Sequence, residues 1–337
     1  MKVKQRAGKS FVLCQVLVTV ALSPCVGAQT CETQSELNDA TRAPLATAAQ
    51  RYFTMAAKGD AASLRQNSIP DLSSDFSAVE ARLKDRQQDL TGAQASERSI
   101  FLLDAPGSAP IPHAEFLCGV FGKNGQTPGS AAFYLDNLPS GKYAVVVLDA
   151  TSSQAKTTFS EMLQLVGVDW KLAGLYINPA TAAGHDSDWF LAKAREYKSK
   201  GQMHNAWMFY LQARNLISAV PFMYTLATDK LYDEWHAQQP ADLPGDGKIA
   251  DLTGGSATYK LTAVFPAAVG NDLDLVVRYQ SINATNADLA YQENVAVIKA
   301  VVAKFPEFKD AFANVVARAQ DAAGHDYGTL LAMKDIK

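Results

Sequence analysis

His113-Ala114-Glu115 followed by Cys118 is the most reactive-looking group in the chain. A histidine and thiolates can hold a zinc ion while a neighbouring glutamate moves the protons of its bound water. The Pro-Cys-x-x-Cys half that would supply the remaining ligands is missing, so the pattern predicts a strand-edge His and an exposed Glu. Asp242, Asp246, Gly247 and Ile249 fit part of a calcium loop, but Pro244 at its third position and Thr253 at its twelfth bring no carboxylate. Three acids in a Gly/Pro-rich stretch then simply keep it solvated. Gly245-x-Gly247-x-x-Ala250 has no strand before it, which rejects dinucleotide binding on context. Ala-Ala-Gly-His-Asp occurs at 182–186 and again at 322–326. The two His-Asp pairs could share a metal if their loops met; read separately, each is a turn, with Asp186 placed to cap a helix. Gly-x-Ser-x-Gly, His-Glu-x-x-His and a phosphate loop are all absent from the sequence. Asn283-Ala284-Thr285 is a glycosylation sequon only in a host that glycosylates exported chains. These motifs assign no catalytic residue, no metal site and no cofactor.

The elements that must position any such chemistry follow from the rest of the sequence. In 337 residues, 48% are hydrophobic and 19% charged, enough for packed cores in two or three domains. Lys+Arg is 31 against Asp+Glu 34, and this lack of basic bias argues against a nucleic-acid partner. Lys2, Lys4, Arg6 and Lys9 precede an apolar run from Phe11 to Leu22, then Val26-Gly27-Ala28. A basic start, a short apolar run and small residues before the cut predict a signal peptide over 1–28, and hence export to the periplasm or medium. Losing those four charges leaves 27 basic and 34 acidic residues, a net charge of −7. Leu22-Ser23-Pro24-Cys25 also resembles a bacterial lipoprotein box, with Pro24 departing from the small residue expected there, so a lipid anchor at Cys25 is the competing reading. No later segment is long and apolar enough to span a membrane. Cleavage after Ala28 leaves Cys31 and Cys118, and an even pair in an exported chain predicts a disulfide.

Residues 29–41 read as a polar leader. Leu45, Ala49, Tyr52, Phe53 and Ala56 then follow helical spacing, stopped by Lys58-Gly59-Asp60. Further helices are expected over 61–67 and 74–90. Strand-like runs follow at 99–103, 115–121, 131–135, 143–151, 157–166 and 170–178, separated by Gly, Pro, Asn and Asp. Helices first and a curled antiparallel sheet afterwards is an α+β order.

The residues Tyr52-Phe53, Gly59-Asp60, Tyr143-Ala144-Val145-Val146-Val147 and Asp169-Trp170-Lys171-Leu172-Ala173-Gly174-Leu175-Tyr176 carry a resemblance. The segment 42–180 looks like the nuclear-transport-factor-2-like (cystatin-like) α+β cone of uncharacterised exported bacterial proteins. That superfamily contains isomerases, dehydratases and plain binding modules, so the resemblance implies a fold and leaves function open. Strand alternation places Tyr143, Val145, Val147 and Asp149 on one face, and Trp170, Leu172 and Tyr176 on another strand's face. Tyr143, Asp149, Trp170 and Tyr176 are therefore the expected lining of a ligand pocket inside the cone. Enzymes of the superfamily use a buried carboxylate there, whose pKa desolvation raises; no family catalytic residue maps onto Asp149, Glu161 or His113.

Phe190, Ala194, Tyr197, Gly201, Met203, Ala206, Tyr210 and Ala213 resemble a single tetratricopeptide unit. One unit cannot bury its own face, so 187–237 is expected to be a helical hairpin plus a capping helix, Phe222 to Trp235, with Pro221 in its first turn. Gln238–Ser256 reads as a linker. A hairpin, a helix striped by Tyr291, Val295, Ile298, Val302 and Phe305, and a closing hairpin make a small α+β domain over 257–337. Rich in packing patterns and poor in reactive constellations, the chain is expected to be a non-catalytic module binding a small apolar ligand or a protein partner. The alternative is a cofactor-free lyase or isomerase that uses the cone cavity.

Overall fold

The computed structural model describes residues 28–123, 125–245 and 247–336; the predicted signal segment up to residue 27, with Cys25, and Asp246 lie outside them. The architecture is α+β. N-terminal helices cover an antiparallel sheet, a helical segment follows, and a mixed five-stranded sheet with one helix closes the chain.

The N-terminal part runs β1 (Thr30–Thr33), α1 (Asp39–Ala57), α2 (Ala61–Gln66), α3 (Pro70–Ser74), α4 (Ser77–Leu90), β2 (Gln94–Ala105), β3 (Ile111–Cys118), β4 (Phe121–Gly122), β5 (Gly125–Gln126), β6 (Ala131–Leu138), β7 (Gly141–Thr151), β8 (Lys156–Val166) and β9 (Asp169–Pro179). The Asn38 side chain caps α1 by accepting from the Thr41 amide, and Gly59, at φ +71°, takes the left-handed turn that ends it. The expected third helix, 74–90, is α4 and begins at Ser77; before it Pro70 opens the short, unexpected α3, which ends at its C-cap Asp75. The segment read as a leader instead contributes a strand. β1 pairs antiparallel with β2, and the Cys31–Cys118 disulfide ties it to β3.

The main sheet, in the order β1-β2-β7-β8-β9, is buried on both faces. Leu45, Ala49, Tyr52 and Phe53 of α1 and Leu83 of α4 pack on Ala144, Val146 and Leu148, with Phe53 and Phe159 edge to face at 5.2 Å. The opposite face carries Tyr143, Val145, Val147, Phe101 and Leu103. It packs on Phe116 and Phe133 of a second sheet, ordered β10-β6-β3.

The rest of the chain supplies α5 (Ser187–Ser199), α6 (Met203–Ile217), β10 (Met223–Thr225), α7 (Leu226–His236), β11 (Ala250–Gly254), β12 (Ala257–Val269), β13 (Asp272–Gln280), α8 (Ala287–Lys304), β14 (Asn314–Gln320) and β15 (Asp326–Ala332). The α5–α6 hairpin turns at Gly201, φ +76°, and buries Phe190, Ala194, Ala206, Tyr210 and Ala213 as its spacing predicts. The capping helix departs from expectation. Residues 223–225 add an edge strand to β6, and α7 starts only at Leu226, where Thr225 and Thr228 form a reciprocal capping box. The Pro/Gly-rich stretch read as a linker ends in β11, which pairs with β12. Two antiparallel pairs, β12–β13 and β14–β15, join through a parallel β13–β14 contact across α8. Trp207 and Phe209 of α6 belong to the same core as Leu275, Val301 and Phe312, so the helical segment and the C-terminal sheet bury their faces together.

Candidate functional site

The four residues expected to line the cone do not meet in one cavity. Tyr143 faces the second sheet, its hydroxyl donating to the Pro139 carbonyl at 2.8 Å. Trp170 packs on the opposite, helix-covered face. Tyr176 would share that face under strict alternation, but the β8–β9 register shifts at Met162/Leu163, and the bulge on β9 turns Tyr176 toward the second sheet. Asp149 is half exposed, and the Arg98 guanidinium grips it and the Thr158 hydroxyl. Arg98 itself sits in a bulge of β2.

The buried acid on the helix-covered face of the main sheet is Glu161, opposite Val146 on β7 and Leu175 on β9. It is fully buried, and neither carboxyl oxygen has a hydrogen-bond partner. Burial pushes its pKa well above the usual carboxylate range, against a smaller opposing pull from Arg51. Arg51 in turn donates to the Tyr52 hydroxyl at 3.2 Å. Burial thus favours the protonated form of Glu161, on the helix-covered face of the main sheet.

The remaining polar candidates are held locally. His113 pairs with Asp136 at 2.7 Å, both well exposed. His185 stacks on Trp189, with ring centroids 3.7 Å apart, while Asp186 caps α5. His325 pairs with Asp321, and Asp326 with Arg318. The two Ala-Ala-Gly-His-Asp loops therefore have separate local roles. Asp242 bonds His204 and Asp251 bonds Lys260, so each of these acids has a partner of its own. Among the described residues no three His, Cys, Asp or Glu side chains gather to hold a metal.

A groove opens instead within the helical segment, beside the N-terminal sheets. A cavity of about 410 Å³ is lined by Arg214, Ile217 and Ser218 at the end of α6, Pro221, Met223 and Tyr224, and Thr228, Asp229 and Tyr232 of α7. Ile217, Met223 and Thr228 also line a second cavity of about 190 Å³, which runs on to Arg98, Ser99 and Val147 of the main sheet. A broader depression, about 750 Å³, is lined only by α1 and the turn after it, so no second element opposes α1 across it.

The groove is built on braced parts. Tyr224 meets Tyr134 edge to face at 5.4 Å across the β10–β6 pair. Tyr232 stands between the Arg214 guanidinium, 5.0 Å from its centroid, and the stacked His236 ring. Asp229 accepts from the Gln126 amide at 3.0 Å. Burial, and then the Asp233 carboxylate one helical turn on, raise its pKa. Sequence reasoning missed this site because it read Phe222–Trp235 as one continuous helix. The site forms only when residues 214–232 fold back on β6, and the signal available beforehand was the β-prone triplet Met223-Tyr224-Thr225.

No described helix is long and apolar enough to cross a membrane. No family model matches the chain, and neither does any curated protein or solved structure.

Proposed function

We propose that the chain is an exported, non-catalytic binding module whose ligand or partner seats in the groove of the helical segment, beside the N-terminal sheets. The observation that carries this reading is the groove's construction. Its walls come from α6, α7, β10 and the main sheet, so a bound molecule touches elements that the core already holds in place. Half-exposed Tyr134, Tyr224 and Tyr232 around it are the residue type that binding surfaces favour, apolar in the body with a polar tip. The likeness of 42–180 to a nuclear-transport-factor-2-like cone and of 187–220 to a tetratricopeptide unit belongs to the same proposal. Helices packed on one sheet face and the small residues of the α5–α6 hairpin support it. The Cys31–Cys118 disulfide supports the extracytoplasmic part.

The test is a ligand-observed NMR screen of small aromatic and alkyl fragments against the full chain and Ile217→Trp, which fills the groove. Fragments that bind the parent should lose binding to the variant, with methyl spectra reporting an intact fold. Hits that bind both proteins equally overturn the proposal.

One observation favours a second reading, a cofactor-free lyase or isomerase: the buried, unpartnered carboxyl of Glu161, whose pKa burial raises. That chemistry requires the interior to open far enough for a substrate to reach the carboxyl. Turnover of any substrate that is abolished by Glu161→Gln would favour it over the binding reading.

A further inference from the structure

We propose that the groove takes a small organic cation, its ammonium group seated between the Asp229 carboxylate and the Tyr224 ring. The inference rests on the groove being the binding site and adds the chemistry of what it binds.

Asp229 lines the cavity, and its carboxylate accepts from the Gln126 amide. Asp233 lies four residues on along the same helix, where two like charges repel. A cation arriving at Asp229 offsets both the cost of burying that carboxylate and the repulsion from Asp233. Aromatic faces are the second half of such a site, because the ring quadrupole attracts positive charge. On the α7 side of the cavity the rings are already taken by a cation of the chain itself. The Arg214 guanidinium stands 4.0 Å from the Trp235 centroid and 5.0 Å from that of Tyr232. Tyr224, braced by Tyr134, lines the cavity on the β10 side.

The rest of the lining selects the class of cation. Ile217, Pro221 and Met223 offer aliphatic surface to methyl or methylene groups, and the Ser218 and Thr228 hydroxyl oxygens, whose protons go to the Val220 and Thr225 carbonyls, can accept from a hydroxyl on a polar tail. A bare metal ion is disfavoured, because hard cations ask for six or more oxygen ligands and these walls are mostly carbon. The volume of about 410 Å³ falls within the range that small-molecule sites occupy. An alkyl or quaternary ammonium compound carrying a short polar tail suits the Asp229, Tyr224 and aliphatic parts of the wall, while the Arg214 guanidinium, on the Tyr232 and Trp235 rings, marks the end of the cavity that the ligand's charge avoids.

Choline and its uncharged isostere 3,3-dimethylbutan-1-ol separate charge from shape. In calorimetric or NMR titration of the full chain, choline should bind at least about tenfold more tightly than the alcohol. Asp229→Asn should weaken choline by about tenfold or more and leave the alcohol unchanged, and Tyr224→Leu should weaken choline. Tyr291→Leu, an exposed tyrosine on α8, should change neither, and circular dichroism checks that each variant is folded. Equal binding of choline and the alcohol, or choline binding indifferent to Asp229→Asn, overturns the cation assignment while the groove reading stands. So does no choline binding where fragments still occupy the groove. Loss of fragment binding to the parent protein removes the groove reading beneath it as well.

Discussion

Glu161 lies directly opposite Val146 in the β7–β8 ladder, on the face of the main sheet that α1 and α4 cover. An ionised carboxylate there has no hydrogen-bond donor among the described residues, so burial favours the protonated form in the folded chain. The unfolded chain releases the proton above the ordinary value of 4.5. Stability from this group is therefore complete below that value and falls as pH rises toward the raised folded-state value, by up to about 1.4 kcal/mol per pH unit. Glu161→Leu removes both the titration and the unsatisfied oxygens, and should stabilise the protein near neutral pH by about 1–3 kcal/mol. Urea denaturation of both proteins between about pH 5 and pH 8 measures it. Parallel stability–pH curves would mean that Glu161 is not held neutral by burial.

The disulfide carries the second prediction. Cys31 and Cys118 are 87 residues apart, and closing a loop of that size stabilises by about 4–5 kcal/mol in the chain-entropy account. Cys118→Ala should lower unfolding free energy by about 2–5 kcal/mol, with its largest local effect on hydrogen exchange of the short strand β1. In the unreduced native protein, both thiols should resist alkylation until a reductant is added. Mass spectrometry finding either one modified beforehand would remove the bridge.

Local patterns were legible in the sequence where one physical rule acted alone. The helical spacing of Leu45, Ala49, Tyr52, Phe53 and Ala56 names residues that α1 buries, and the alternating runs locate β7, β8 and β9 closely. Legibility failed where a longer-range contact overruled the local pattern. The bulge on β9 exchanges the face of Tyr176, and with it the expected pocket. On α8 the expected stripe included Tyr291, which is exposed, while Asn294 is fully buried. Asn294 turns inward because the Tyr279 hydroxyl, the Thr329 hydroxyl and the Tyr327 carbonyl satisfy its amide, partners that no hydrophobic count contains. The groove was invisible for the same reason. Its lining is set by β10 joining β6, a pairing between segments about ninety residues apart along the chain.

Asp149, expected to serve as a pocket acid, is instead half of a surface ion pair with Arg98. Both side chains are more than one-third exposed, so solvent screens the attraction. Asp149→Asn should change stability by less than about 1 kcal/mol, and more weakly still at high salt. It should also leave fragment occupancy of the groove near Tyr224 unaffected, although Arg98 lines the adjoining cavity. Denaturation midpoints at low and high salt give the first quantity, and the NMR screen gives the second. A loss of several kcal/mol would require a buried role for Asp149 that its exposure contradicts.

The start of α7 provides the last test, because two registers make opposite predictions. With the helix beginning at Phe222, Thr225 would sit within its first turn, and replacing it by alanine would be neutral or slightly favourable by propensity. With the observed start at Leu226, the Thr225 hydroxyl accepts from the Thr228 amide at 3.2 Å, while the Thr228 hydroxyl accepts from the Thr225 amide at 2.7 Å. Thr225→Ala then leaves an amide of the first turn without its acceptor and should cost about 1 kcal/mol. Thr225→Ser, which keeps the hydroxyl, should recover most of that loss. The same cap fixes where Asp229 and Tyr232 enter the groove, so Thr225→Ala should also weaken fragment binding there while Thr225→Ser restores it. Equal stability of the alanine and serine variants would place the helix start upstream and take the groove's α7 wall with it.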